Sequence, residues 1–463
     1  MLTGFALGAL LVAATLTPVA PMHTFTATME RQVDDLGNYI VQEKRSPGLA
    51  IGVVEDGRIV YARGFGYSDV AKRTRWSPGT QTYIGSISKQ FTAAAILLLQ
   101  QDGKLKLDDP VTHYIPELTI ANGVTIRQLL NQTAGLPDLL AAAGSNPDLT
   151  ASIKPADLLA AIDKLKPVSP PGSEYRYNNL NYYLAALIVE RVSGVPFSDY
   201  LQQHVFIPLQ MNQSFIAGDR GISPQHAVGY SGRPGAFVKV RPWDPAWLFG
   251  AGDVVSNVYD MAKWDIGMPL LMRVDAERDM FTPSGVPGPT QYGLGWVIDQ
   301  RGGKRYIWHN GEIAGYHTMN ALLPDDHVAV IVLTNVDSLH STAVVQPEDV
   351  ASEILDIVVP PARANVGNAI IAKATEWLGR IADKNIDRTQ LTPAFSAYLT
   401  DDLVAKANFA ALGKPLDIIP ISSKSQDGGG TLYVFIVRFQ NGRYHYRFGL
   451  MPDGKIDEIF LTP

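Results

Sequence analysis

A long uncharged stretch in the first quarter of the chain most constrains the fold. Residues 85–100 read GSISKQFTAAAILLLQ, and no charged side chain occurs between Lys89 and Asp102. The pattern predicts a helix that begins near Ser86 and is stopped by Gly103. A helix that is apolar on all sides is stable only where other elements cover it. The fold must therefore enclose this helix completely.

Strand-length runs occur on both sides of a helical middle region. The run GLAIGVVEDGRIVYARGFG has two apolar segments separated by Asp56-Gly57, a strong hairpin signal. Further strand-length runs follow from Tyr292, whereas helical patterns occupy residues 124–208 and mostly irregular connections occupy residues 212–245. This order predicts the α+β class, with an antiparallel sheet from both chain ends, flanking helices and an inserted helical subdomain. The predicted domain spans residues 29–361.

The two ends of the chain differ from this domain. Residues 1–20 contain an apolar run that is too short for an ordinary membrane span and predicts a signal peptide, although no Lys or Arg precedes Arg31. A disordered or membrane-associated N-terminus is the alternative. Export to the periplasm or the medium is therefore expected. Residues 365–463 combine one helical pattern with period-2 runs and predict a small second α+β domain.

Composition excludes several functions. Hydrophobic residues make up 46% and charged residues 18% of the chain, as in ordinary globular proteins. With 45 acidic and 39 basic residues the net charge is −6, and no Lys/Arg-rich run occurs, so nucleic acid is not an expected partner. The chain has no cysteine, which excludes disulfides, thiolate metal sites and a cysteine nucleophile.

Ser86 and Lys89 form a candidate catalytic pair at the start of the apolar helix. A spacing of three places both side chains on one helical face. A buried ammonium is costly unless it is paired or its pKa is lowered, and such a lysine can accept a serine proton. The alternative is a chance Ser-x-x-Lys whose lysine extends its ammonium to solvent. The uncharged helix that follows, and two further motifs, favour catalysis.

Those motifs are YNN at Tyr177 to Asn179 and HNG at His309 to Gly311. Together with SISK they resemble, in order, the Ser-x-x-Lys, Tyr-x-Asn and His-x-Gly motifs of the class C β-lactamase-like serine hydrolases. That family includes D-Ala-D-Ala carboxypeptidases, D-aminopeptidases and β-lactamase-fold esterases. The segments VTIRQLLNQTAGLPD, GAGDVVSNVYDMAKW and YGLGW resemble further parts of the family. The resemblance covers most of residues 29–361.

The resemblance implies a role for each motif residue. Ser86 would be the nucleophile that is acylated. Lys89 would lower the pKa of Ser86 or of Tyr177. Tyr177 would move the proton to the leaving group and then activate water, either as a phenolate or together with Lys89. Asn179 would hold Lys89 and an acyl-chain carbonyl.

The His-x-Gly strand would form the other wall of the site. The resemblance places His309 near the leaving group and Gly311 where the backbone approaches closely. The oxyanion hole would consist of the backbone N–H groups of Ser86 and Glu312. Gln132 and Ala134 occupy positions where the family usually has His and Ser, which puts local hydrogen bonding in doubt more than the chemistry.

The implied activity is hydrolysis of an ester or an amide through an acyl-enzyme. Short-chain or aryl esters and D-amino-acid peptides both stay open as substrates. Efficient β-lactamase activity is not expected, because HNG replaces Lys-Thr-Gly and with it the lysine that anchors a β-lactam carboxylate. The alternative is a penicillin-binding-type receptor with little turnover.

The expected partner is a small ester or peptide. No metal or organic cofactor is implied, no membrane span is expected in the mature protein, and the oligomeric state is open. Four aromatic residues around the predicted site would either line an aromatic cleft or belong to the core: Trp243, Trp247, Phe249 and Trp308.

Overall fold

The computed structural model describes residues 24–140, 148–218, 225–288, 290–341, 343–361, 364–406, 412–426, 429–439 and 442–462. The predicted signal peptide at residues 1–20 lies outside these ranges, so export stays a prediction. Within the described ranges, none of the helices combines the length and the apolar character that crossing a membrane requires.

Strands and helices occur in groups along the described parts of the chain. The helices are α1 (Ala27–Gln42), α2 (Ser88–Gln101), α3 (Val111–Tyr114), α4 (Ile126–Leu130), α5 (Pro155–Ile162), α6 (Asn179–Ser193), α7 (Phe197–Leu201), α8 (Pro245–Leu248), α9 (Val258–Leu271), α10 (Val274–Met280), α11 (Pro347–Val358), α12 (Asn368–Ala382), α13 (Pro393–Tyr398) and α14 (Asp401–Lys406). The strands are β1 (Gly48–Glu55), β2 (Arg58–Asp69), β3 (Thr74–Arg75), β4 (Thr82–Tyr83), β5 (Phe215–Ile216), β6 (Tyr230–Arg233), β7 (Ala236–Lys239), β8 (Val254–Ser256), β9 (Gln291–Tyr292), β10 (Val297–Arg301), β11 (Lys304–Ile313), β12 (Tyr316–Leu323), β13 (Val328–Thr334), β14 (Asp417–Ser425), β15 (Thr431–Phe439), β16 (Gly442–Leu450) and β17 (Ile456–Thr462).

The main sheet joins the two ends of the larger domain. In the described part of the chain, eight antiparallel strands lie in the order β3-β2-β1-β13-β12-β11-β10-β9. Strand β1 pairs with β13, from Leu49 opposite Thr334 to Glu55 opposite Val328. The prediction of an α+β fold with a sheet built from both chain ends and helices between them is therefore confirmed.

The sheet is buried on both faces, as β1 illustrates. Ala50 and Val54 belong to the core that contains α2 and α9, whereas Leu49, Ile51 and Val53 belong to the core with α1 and α11. Successive strand residues point to opposite faces, so an uninterrupted apolar strand suits a central position between two helical layers.

Helix α2 lies inside the larger core. All ten residues from Ser88 to Leu97 are buried, as the uncharged sequence predicts. Ser86 lies just before the α-helix, in a 3₁₀ turn formed by Gly85–Ile87. Gly103, at φ +71°, follows the C-terminal end in the left-handed conformation that glycine adopts readily.

The C-terminal region has its own sheet and core. Strands β14 to β17 form an antiparallel sheet in chain order, and α12 packs against it through the buried ring of Trp377. Phe435, Tyr446 and Phe448 contribute the sheet side of this core. The predicted helix and period-2 strands are present, while the boundary at residue 365 stays a prediction.

Candidate active site

Lys89 is the centre of the candidate site. Its Nζ lies 2.9 Å from Ser86 Oγ, 2.8 Å from Asn179 Oδ1 and 2.8 Å from the carbonyl oxygen of Ala251. The residue is fully buried. A protonated lysine donates to all three oxygens. A neutral lysine donates to Asn179 and Ala251 and offers its lone pair to the Ser86 O–H. The geometry therefore accommodates the free amine that a general base must be.

Local contacts explain why the lysine reaches these partners. Ser88 Oγ accepts from the N–H of Val254, and Thr92 Oγ1 donates to the carbonyl of Gly250. These bonds join the first turns of α2 to the segment that carries Ala251. A Cβ on Gly250 would lie 2.4 Å from Ala186 Cβ, so this close packing requires glycine.

Burial separates the proton affinities of Lys89 and Tyr177. Burial holds the pKa of Lys89 well below its usual value, and the nearby carboxylate of Asp253 only partly opposes this. Tyr177 is 38% exposed as a residue, and the surrounding protein still raises the pKa of its hydroxyl above the usual value, with a hydrogen bond with Ser86 partly opposing the shift. The two shifts move Lys89 toward the free amine and keep the Tyr177 hydroxyl protonated, which suits Lys89 to act as the base and Tyr177 as the acid.

The YNN motif is fixed by α6 and by Gln132. Asn179 is the first residue of α6, and Asn178 caps the helix by accepting from the N–H of Leu180. Gln132 Oε1 accepts from the Asn178 N–H at 3.0 Å and from Asn181 Nδ2 at 2.7 Å. Although Gln132 replaces a family histidine, the hydrogen bonds that hold the loop are present.

His309 lies in the wall beside Tyr177. The two ring centroids are 6.0 Å apart, and His309 is 2% exposed. His309 Nδ1 lies 2.5 Å from the carbonyl oxygen of Asn310, and Nε2 lies 2.8 Å from the hydroxyl of Tyr292. Both nitrogens are therefore engaged inside the protein. Burial lowers the pKa of His309 to about 3, so the ring is neutral.

The predicted oxyanion donors are brought together by two glycines. A Cβ on Gly85, at φ +55°, would lie 2.8 Å from the backbone nitrogen of Glu312, and a Cβ on Gly311 would lie 1.9 Å from the carbonyl oxygen of Ile84. The turn before α2 therefore touches β11 directly. Pairing between β10 and β11 ends at Trp308, which leaves the edge of residues 309–313 facing this turn.

The side chain of Glu312 is held apart from the catalytic groups. Its Oε1 accepts from the N–H of Ser338 at 2.6 Å and from the Ser338 hydroxyl at 2.7 Å. Only the backbone of Glu312 is thus offered to the site, which fits the predicted use of its N–H group.

Two supporting residues were missed by sequence reasoning. In the sequence, Gln132 stands out only as a departure from the family pattern, and Tyr292 only as the start of a strand-length run. The YGLGW segment supplies Tyr292, which hydrogen-bonds His309. It also supplies Gly295, where an added Cβ would lie 2.8 Å from the carbonyl oxygen of Lys89. The aromatic hydroxyl and the second glycine in YGLGW are the signal that could have found this role.

The aromatic residues near the motifs divide between core and cavity. Trp247 and Phe249 pack in the core around α2, and Trp308 packs on the opposite face of the sheet. Trp243 lines a cavity together with Tyr83. All four aromatic residues thus have the core role that the sequence left open, and Trp243 in addition faces the cavity.

A serine hydroxyl hydrogen-bonded to a buried lysine, with a tyrosine and two backbone donors beside it, is the arrangement that active-site serine hydrolases require. The model of the β-lactamase family matches residues 25–353. The chain belongs to the β-lactamase family, and this membership supports a serine-hydrolase type of activity.

Individual proteins resemble this chain over its larger domain. Protein flp of Staphylococcus aureus (strain MW2) is 27% identical over 326 residues, which is 68% of this chain and 64% of that protein. The chain thus spans less than two thirds of the length of protein flp. The PbpX protein of Bacillus subtilis (strain 168) is 30% identical over 306 residues, or 65% of this chain and 74% of that protein.

The fold is also found among solved structures. The D-amino acid amidase of Ochrobactrum anthropi SV3, in complex with D-phenylalanine, superposes with a TM-score of 0.63 at 22% identity. The match covers 72% of this chain and 99% of the amidase. At this identity the similarity establishes a shared fold.

Proposed function

We propose that this protein hydrolyses esters or amides through an acyl-enzyme formed at Ser86. The observation that carries the proposal is the set of three hydrogen bonds around Lys89, which place a buried amine 2.9 Å from the Ser86 hydroxyl. Burial lowers the pKa of Lys89, so more of this lysine is present as the free amine that can take the serine proton.

In acylation, Ser86 Oγ attacks the substrate carbonyl carbon while its proton passes to Lys89 Nζ. The oxygen of the tetrahedral intermediate is stabilised by the N–H groups of Ser86 and Glu312. The bond to the leaving group then breaks, and the Tyr177 O–H supplies the proton that the departing oxygen or nitrogen needs. Tyr177 regains a proton from the Lys89 ammonium, so both groups return to their neutral forms.

In deacylation the same groups act on water. Lys89, acting through Tyr177, accepts a proton from a water molecule that attacks the acyl carbon. The ester bond to Ser86 breaks, and the serine oxygen regains a proton from Lys89. The product acid leaves, and the starting protonation states are restored.

The neutral His309 favours particular leaving groups. Both of its nitrogens are engaged, by Asn310 and Tyr292, so it offers no positive charge to a substrate carboxylate. Esters and amides whose leaving group carries no carboxylate should thus be better substrates than carboxyl-terminal peptides or β-lactams. The shared fold with a D-amino acid amidase supports amides of D-amino acids as one candidate class.

The test compares wild type, Ser86→Ala and the control Ser198→Ala on four substrates. They are a p-nitrophenyl short-chain ester, a D-amino-acid amide, an acyl-D-Ala-D-Ala peptide and a chromogenic cephalosporin. We expect wild type and Ser198→Ala to turn over the ester or the amide, and Ser86→Ala to lose this activity. Mass spectrometry should detect the acyl group on Ser86 of the wild type.

Two results would overturn the proposal. Equal rates in wild type and Ser86→Ala would exclude Ser86 as the nucleophile. A stable cephalosporin adduct on Ser86, without turnover of any substrate, would favour the penicillin-binding-type receptor instead.

A further inference from the structure

A cavity of about 370 Å³ lies between the sheet of β4, β5 and β8 and the segment before α8. Its walls are mainly aromatic and apolar, with Tyr83, Phe215, Trp243, Pro245 and Val255 among the lining residues. An apolar cavity of roughly 150 Å³ is large enough to bind benzene. This cavity, called the His226 cavity below after a further lining residue, can therefore hold an aromatic ring with a substituent.

The aromatic residues of the His226 cavity and their ring contacts lie close along the chain to the oxyanion donors. Tyr83 precedes Ser86 by three residues, and its ring lies 5.2 Å from the ring of His226 and 5.3 Å from the ring of Tyr316. Tyr316 begins β12, four residues after Glu312. The turn that carries Ser86 and strand β11, which carries Glu312, are therefore each within four residues of a ring of this aromatic cluster.

The cavity lies toward the acyl side of Ser86. His309 and Tyr177 are at one end of the free edge of β11, and Tyr177 is the group that protonates the leaving group in the proposed function. Tyr316 and the His226 cavity are at the other end of β11. A substrate whose carbonyl oxygen lies between these ends has its leaving group near Tyr177 and its acyl group near the cavity.

His226 brings an unused acceptor to this wall. Its Nδ1 lies 2.7 Å from the carbonyl oxygen of Ala227 and therefore carries the hydrogen, which leaves Nε2 with a lone pair. Within the described residues Nε2 has no hydrogen-bond partner, and the side chain is 8% exposed. Burial lowers the pKa of His226 to about 4, in keeping with a neutral ring. A buried acceptor without a partner is rare in proteins, and a ligand donor would complete it.

We propose that the His226 cavity binds the acyl group of the substrate and selects aromatic acyl groups that carry a neutral hydrogen-bond donor, such as a phenol hydroxyl. The inference rests on the proposed function, because it assigns the acyl side from the role of Tyr177. The aromatic walls bind the ring, and Nε2 of His226 accepts from the hydroxyl.

The test uses p-nitrophenyl esters of phenylpropionate and of para-hydroxyphenylpropionate, with the acetate ester as the reference within each variant. Wild type should prefer the hydroxylated ester by about tenfold in kcat/KM, since a hydrogen bond to an otherwise unpartnered buried group has about this effect. In His226→Phe the ratio between the two aryl esters should fall to about one. The exposed-histidine control His113→Phe should keep the wild-type ratio.

Equal rates for the two aryl esters in wild type, or a preference that survives His226→Phe, would overturn the proposal. If His226→Phe does not fold, Trp243→Ala provides a second variant. Its kcat/KM for both aryl esters should be lower, relative to its kcat/KM for the acetate ester, than in wild type. Tryptophan fluorescence can follow binding of the two aryl esters to Ser86→Ala. This measures the preference for the hydroxylated ester without turnover. These measurements distinguish a failure of the acyl-binding proposal from a failure of the proposed function. If the proposed function is wrong, hydrolysis of the acetate ester itself does not depend on Ser86.

Discussion

The hydroxyl of Tyr292 donates to Nε2 of His309, and this bond determines which nitrogen of the imidazole carries the hydrogen. The two atoms are 2.8 Å apart, and Nδ1 of the same ring faces the carbonyl oxygen of Asn310. A carbonyl only accepts, so the hydrogen is on Nδ1 and Nε2 accepts from the tyrosine. His309 is thereby kept as a neutral part of the wall beside Tyr177.

Tyr292→Phe should lower both stability and activity. The change leaves Nε2 of His309 buried without a donor, which costs about 1–3 kcal/mol of the free energy of unfolding. We expect kcat/KM to fall about tenfold because the ring beside Tyr177 is no longer fixed. The nitrogen NMR signals of His309 should shift, since the hydrogen bond to Nε2 is lost. Tyr306→Phe, on the strand β11 that also carries His309, is the control. Unchanged NMR signals of His309 in Tyr292→Phe would contradict the assigned hydrogen bond.

The pH dependence of activity should report Lys89. The active form is the neutral amine, so kcat/KM should fall about tenfold for each pH unit below the lowered pKa of Lys89, and it should be level above it. If a Tyr177 phenolate were the base instead, activity would rise only above the usual tyrosine pKa, because burial raises the pKa of Tyr177. The position of the acid limb in a pH–rate profile decides between them.

Lys89→Arg should abolish this base, because arginine stays protonated in proteins. We expect a loss of about 10²–10⁴-fold in kcat. Lys104→Arg, which changes an exposed lysine, should retain wild-type kinetics. Appreciable turnover by Lys89→Arg with an unchanged pH profile would mean that Lys89 acts only through its charge.

Gln132 should act on catalysis through the position of the YNN loop. Gln132→Met keeps the size of the side chain but removes the acceptor for the Asn178 N–H and Asn181 Nδ2. We expect kcat to fall about tenfold or more with a smaller change in KM, since the loop carries Tyr177 and Asn179. Gln132→Glu retains an acceptor oxygen and should recover part of the activity. Equal kinetics for the two variants would show that these bonds do not position the loop.

The sequence predicts the fold because its two periodicities are clear. Alternation and turn residues such as Asp56-Gly57 indicate the strands, and the uncharged run after Lys89 indicates the enclosed helix. The motifs Ser-x-x-Lys, Tyr-x-Asn and His-x-Gly also name residues that the structure brings together. Each of these signals lies within a few neighbouring residues, so it can be read from the chain.

The supporting contacts could not be predicted in the same way. The Tyr292–His309 bond joins side chains seventeen residues apart, and its existence depends on how β9, β10 and β11 are paired. Trp247, Phe249 and Trp308 have the composition of a binding cleft, but the face on which each lies is set by packing. Gln132 shows the same limit, because its two bonds reach residues more than forty positions away.

Asp265 should make the stability of the protein depend on pH. Burial raises its pKa from 3.8 to about 8, although a hydrogen bond from Asn320 Nδ2 at 2.8 Å partly opposes this. Between these two pKa values the folded protein holds a proton that the unfolded chain has released, so stability falls as pH rises toward 8. The contribution of this single group is up to about 1.4 kcal/mol for each pH unit.

Asp265→Asn should remove that contribution. The amide is always neutral, and it can donate to Asn320 Oδ1, which has no hydrogen-bond partner among the described residues. Chemical denaturation from about pH 5 to about pH 8 should show that the variant gains stability over wild type as pH rises. Asp157→Asn, at an exposed position of α5, should follow the wild-type curve. Parallel curves for wild type and Asp265→Asn would mean that this carboxyl titrates alike in the folded and unfolded chains.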